Sequence, residues 1–105
     1  MLELKKENDG IKIDYTIGET FRFTIKTPKR FKEGTKIRFD VSPNGGKSII
    51  SKEFIPNGNE VTITLTEEDT ELLKISRMHY YKVFASSEDI TSVIVYGTIK
   101  IKWGV

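Results

Sequence analysis

The 105-residue chain has no cysteine and a single histidine, His79. The first absence excludes a disulfide framework and any thiolate metal site. The second excludes a multi-histidine metal site. No apolar run approaches the roughly 18 residues that a membrane-spanning helix requires, so no membrane partner is expected. An excess of one charge is missing too: Lys and Arg total 17, Asp and Glu 15, for a formal net charge of +2. So close a balance does not call for a nucleic-acid partner. The opening segment from Met1 to Glu7 lacks the apolar core of a signal peptide. A chain that starts naturally at Met1 is therefore expected to be made in a cytoplasm. There is no Gly-x-Ser-x-Gly elbow and no phosphate-binding glycine loop, so no enzyme is expected and no cofactor is implied.

What is present is a repeated alternation of apolar and polar residues. Successive side chains of a strand point to opposite faces, so alternation marks one dry face and one wet one. Ile11, Ile13 and Tyr15 alternate with polar neighbours, as do Phe21, Phe23 and Ile25, then Ile37, Phe39 and Val41, then Val61, Ile63 and Leu65. Val93, Val95, Gly97, Ile99 and Ile101 form a last alternating set. The stretches 48–55 and 79–85 are less regular, but β-branched and aromatic residues mark both as strands. Turn chemistry separates the runs at Asn8-Asp9-Gly10, Gly18-Glu19, Pro43 to Gly46 and Pro56 to Asn59.

One segment departs from this pattern. Thr66 followed by Glu67, Glu68 and Asp69 reads as a helix start. The Thr66 hydroxyl can cap free amides, Asp69 can reach back, and the acids favour the positive end of the helix dipole. One short helix is expected near residues 67–74, crossing from one sheet to the other. About seven strands with frequent turns read as an all-β, antiparallel β-sandwich, a small closed barrel being the alternative. Residues 1–105 form a single expected domain, without repeat, linker or low-complexity tract.

Two surface features invite a functional reading. Lys26, Lys29, Arg30, Lys32, Lys36 and Arg38 cluster with Glu33 the only acid among them. Such a segment can meet phosphates or an acidic surface, or can simply be a solvated loop that discourages edge-to-edge pairing. The second feature is on the last two strand runs, which carry apolar residues on both faces. If Val93, Val95, Ile99 and Ile101 face the core, a hairpin of these runs leaves Tyr80, Phe84, Ile94 and Tyr96 as one outer patch. Patches of this kind mark protein interfaces, unless the helix or a terminal segment covers them. The acids Glu67, Glu68, Asp69 and Glu71 are accounted for by the helix start, and His79 has no partner that the sequence reveals.

Several motifs carry a family resemblance. The run from Val61 to Thr70, then Tyr81-Lys82-Val83, then Tyr96-Gly97-Thr98-Ile99-Lys100-Ile101 resembles small phage and prophage domains. In particular it is similar to the immunoglobulin-like N-terminal domain of phage baseplate upper proteins. Gly18-Glu19-Thr20-Phe21 resembles that family's Gly-Asp-Thr-Phe strand entry, while Ser76-Arg77-Met78 stands where the family carries a glycine. The resemblance implies an immunoglobulin-like sandwich without catalytic residues. It also implies a structural or adaptor role in the tail or baseplate of a virion, made in a bacterial host cytoplasm. In larger members the domain attaches a receptor-binding or fibre region. A chain ending at Trp103-Gly104-Val105 leaves no room for one, so a stand-alone small virion protein and an excised domain are both open.

The leading expectation is therefore a non-enzymatic protein acting by protein–protein contact, with other virion proteins or with itself. Tyr80, Phe84, Ile94 and Tyr96 would be the buried part of the contact, and Lys29, Arg30, Lys32 and Lys36 a basic rim. The alternatives are a nucleic-acid-binding module using the 26–38 segment and a carbohydrate-binding sandwich using Tyr80 and Tyr96.

Overall fold

In a computed structural model, which describes residues 2–7 and 10–103, each expected strand run forms a strand. The strands are β1 (Glu3–Glu7), β2 (Gly10–Thr16), β3 (Phe21–Lys26), β4 (Lys36–Ser42), β5 (Ile50–Phe54), β6 (Glu60–Leu65), β7 (Met78–Ser87) and β8 (Ile90–Lys102). The helix α1 (Glu67–Leu72) runs on into a 3-10 turn, Leu73–Ile75. β1 was not foreseen. It carries mostly charged residues and gains its place by backbone pairing at a sheet edge, where charge is an advantage. Of the expected turn at Asn8-Asp9-Gly10, residues 8 and 9 lie outside the described residues. Gly10 opens β2 at φ +112°, a conformation that favours glycine.

The strands form a six-stranded mixed sheet, ordered β1-β2-β8-β7-β4-β5, and a two-stranded sheet, β3-β6. There is no barrel. Antiparallel pairing throughout was expected, and here the structure differs: β2 runs parallel to β8, with Ile13 opposite Ile99 and Tyr15 opposite Ile101. Alternation reports which face a residue takes, but it is blind to strand direction.

The inner faces of the two sheets meet through aromatic rings. Phe21 and Phe23 of β3 lie 5.9 and 5.8 Å, centroid to centroid, from Phe39 of β4. Phe39 in turn lies 5.7 Å from Tyr81 of β7, and Tyr15 of β2 lies 5.2 Å from Phe21. Tilted and edge-on pairs of this kind each add about 1 kcal/mol to the burial itself. Ile37, Val41, Ile63, Leu73, Val83 and Ile99 are among the aliphatic residues that share this single buried cluster.

Two polar groups serve this core. Tyr81 is opposite Gly97 in the β7–β8 register, and its hydroxyl donates to the Ile11 carbonyl at 2.6 Å. The ring thus crosses above a position without a side chain. Burial pushes the Tyr81 phenol well above its usual value, which keeps it a donor. His79 is fully buried, with Nε2 2.8 Å from the Leu73 carbonyl, so Nε2 carries the proton and ties the 3-10 turn to β7. Its Nδ1 has no hydrogen-bond partner among the described residues.

Candidate interaction face

The two central strands of the large sheet, β8 and β7, set the character of its outer face. From Lys100 to Tyr96 the alternation holds: Lys100 is opposite Met78, Thr98 opposite Tyr80, and Tyr96 opposite Lys82. The register then shifts. Val83 is opposite Val95, but Phe84 is opposite Val93, so Ile94 is the extra residue of a β-bulge. The bulge exchanges two faces. Val93 was expected in the core, yet it joins Phe84 on the outside and is 46% exposed. Ile94 was expected in the outer patch, yet it is partly buried and packs against the core. The unbroken apolar run Val93-Ile94-Val95-Tyr96 was the one sequence signal of this break, since strict alternation cannot place four such residues in succession.

The outer strip is therefore Tyr80, Phe84, Val93 and Tyr96. Tyr80 is 47% and Tyr96 49% exposed, and neither the helix nor a terminal strand covers them. Helix α1 lies elsewhere. Lys52 of β5 holds it through a 2.6 Å ion pair to Asp69, and Leu73 sinks into the core behind it. The turn between β4 and β5 flanks the strip, where a side chain on Gly45 would come within 3.8 Å of the Tyr80 ring. A depression of about 170 Å³ opens there among Asp40, Ser42, Tyr80, Lys82 and Phe84.

The structure also joins the two surface features that the sequence presented separately. Arg38 is opposite Phe84 across β4–β7, and its guanidinium carbon stands 4.4 Å over the Phe84 ring. A cation over an aromatic face is stabilised by the ring quadrupole. The Arg38 Nε also donates to both Asp40 oxygens, at 3.2 and 3.1 Å. Asp40 accepts a further 2.6 Å bond from the Ser51 hydroxyl. Lys36 begins β4 opposite Ser86, so it marks the rim of the same face. Lys29, Arg30 and Lys32 are exposed but belong to the preceding loop. That loop is pinned rather than free. The Phe31 amide donates to Gly58 and the Thr27 amide to Asn59, while the Asn59 side chain donates back to the Thr27 carbonyl. Phe31 leans on the core, so the loop offers no open ring for stacking.

The acids at the helix start have local roles. Thr66 and Asp69 form the reciprocal capping box, with Thr66 N donating to Asp69 Oδ2 at 2.9 Å and Asp69 N donating to Thr66 Oγ1 at 3.1 Å. Burial by itself would raise the Asp69 carboxyl. The Lys52 ammonium and the Thr66 amide and hydroxyl outweigh it and hold the group below its usual value. Glu71 pairs with Lys74 at 2.8 Å. Among the described residues, no three His, Cys, Asp or Glu side chains converge as metal ligands, and no helix is long and apolar enough to cross a membrane.

Comparison with known proteins yields no match to this chain among protein-family models, curated proteins or solved structures.

Proposed function

We propose that this protein is a non-enzymatic structural or adaptor protein that works by binding another protein through the outer face of its six-stranded sheet. We place it with the immunoglobulin-like sandwiches of phage and prophage particles, as a tail or baseplate component resident in the virion. One observation carries the binding part of this reading. Tyr80, Phe84, Val93 and Tyr96 share the outer face of the two central strands, and among the described residues no helix or strand lies over them, Arg38 alone reaching across the Phe84 ring. The other outward face is different in kind. On the β3–β6 sheet it presents Arg22, Thr24, Lys26, Glu60, Thr62 and Thr64, a polar surface suited to water. Aromatic residues flanked by Arg are the composition of an interface centre rather than of an idle surface. The loop bearing Lys29, Arg30 and Lys32, with Lys36 beside it, supplies orientation at the rim. The virion part rests on the sequence resemblance.

Particle incorporation tests both parts. In purified particles from the producing host, the wild-type chain should be detected at fixed stoichiometry. Tyr96→Glu should reduce its incorporation about tenfold or more, at an unchanged thermal midpoint because Tyr96 is half exposed. Equal incorporation of the variant would end the proposal for this face.

A further inference from the structure

From the distribution of charge on the outer face we infer that its occupant is a different protein, presenting carboxylates around an apolar centre, and not a second copy of this chain. This inference rests on the binding role proposed above. On β7, Lys82 sits between Tyr80 and Phe84 and opposite Tyr96, at the middle of the strip. Its other cross-strand neighbour is Asp40 of β4. That carboxylate is already engaged by Arg38 and Ser51. Lys82, Lys100 and Lys36 form no ion pair with any described residue. Arg38 keeps 43% of its side chain exposed above Phe84, which leaves room for a carboxylate at its guanidinium. The centre of the face is therefore aromatic and cationic at once: Arg38 is paired with Asp40, while the charges of Lys82, Lys100 and Lys36 have no ion-pair partner among the described residues.

A second copy does not answer these charges. A two-fold contact over β7 and β8 would enclose Lys82 and Lys100 of both copies in one interface. Asp14 of β2 is opposite Lys100, but it is buried and paired with Lys5 at 3.8 Å, and Glu3 and Glu53 are on β1 and β5, the two edges of the sheet. Like charges facing each other in a closing interface oppose association. A nucleic-acid strand would answer the charge, but it leaves the rest of the strip unused. Val93 and Met78 are open aliphatic groups on this face, at 46% exposure each, and the Phe84 ring is already covered by Arg38. Exposed Met, Tyr and Arg together suit a protein surface. The geometry thus favours an acidic protein over a polynucleotide.

The test uses the isotopically labelled full chain, titrated with the random copolymer poly(Glu,Tyr) at low and at high salt. Poly(Lys,Tyr) and oligothymidylate serve as comparison probes. Poly(Glu,Tyr) should shift the backbone amides of residues 78–86 and 91–100, and shift them more than those of the 29–36 loop. Raising the salt should weaken the binding, because exposed charges are screened within about a Debye length. Lys82→Glu with Lys100→Glu should weaken it about tenfold, and Lys82→Met should weaken it less. All three changes are on exposed side chains, so the free amide spectrum should stay native. Several results would overturn the inference: shifts confined to the 29–36 loop, no shifts at all, tighter binding of oligothymidylate at the same residues, or a dimer that buries Lys82. The two proposals fail separately. Particles that exclude Tyr96→Glu but accept Lys82→Glu keep the face and remove the acidic partner. Particles that accept Tyr96→Glu remove the face itself.

Discussion

Gly97 shows how much one missing side chain can decide. A methyl group there would sit 2.1 Å from the Ile11 carbonyl oxygen, the same oxygen that accepts the Tyr81 hydroxyl bond. The β2 and β8 backbones cross closely at this point, since a Cβ on Gly10 would likewise stand 2.1 Å from the Tyr96 carbonyl oxygen. Main-chain atoms on both sides leave nothing soft to yield. Gly97→Ala should therefore destabilise the protein by about 3 kcal/mol, the upper range for overpacking, read as a lower urea midpoint. In the sequence Gly97 looks like a mere pause in an alternating strand. Its partner across the sheet, Tyr81, and the distant Ile11 explain it, and neither relation follows from spacing along the chain. His79 is similar. It is a lone histidine in the sequence, and in the fold it is a buried anchor for the Leu73 carbonyl.

The short helix is the element most fully legible beforehand. Its start is written in local chemistry: a Thr cap, an acid three residues on, and two more acids at the dipole's positive end. Removing the cap with Thr66→Ala should cost about 1 kcal/mol. The Lys52 contact could not be anticipated, because β5 and α1 meet only in the folded chain. It gives the element a pH dependence. The Asp69 carboxyl is held below its ordinary value near 3.8, so its stabilising contribution is complete above that value and is lost as the pH falls through the lowered one. Asp69→Asn should flatten the acid limb of a stability profile taken from about pH 5 to 2. An unchanged limb would show that Asp69 does not carry this pH dependence. The bulge in β8 is the opposite case. It moved Ile94 inward and Val93 outward, and so replaced one member of the expected patch. Register shifts depend on what the neighbouring strand can pair with, which one strand's sequence does not contain.

At the scale of the whole molecule, the Cα radius of gyration is 13.6 Å. Small-angle scattering of the purified chain should return a value slightly above this for a monomer, and one larger by roughly a third for a dimer. The larger value would contradict a face reserved for an unlike partner. The mainly β character, the seven foreseen strands, the helix and most of the core follow from sequence alone, because they depend on period and local turn chemistry. The patch was legible as a surplus of apolar residues on two strands, without its true membership. Strand order, the parallel β2–β8 pair and the eighth strand at Glu3–Glu7 were not legible, because each is decided by pairing between distant segments. The same holds for the meeting of Arg38 with Phe84 and for the unpaired charge of Lys82 at the centre of the outer face. Sequence determined which side chains seek burial. Only the tertiary structure decided which of them found it, since register and strand neighbours are set by long-range backbone pairing that no local pattern records.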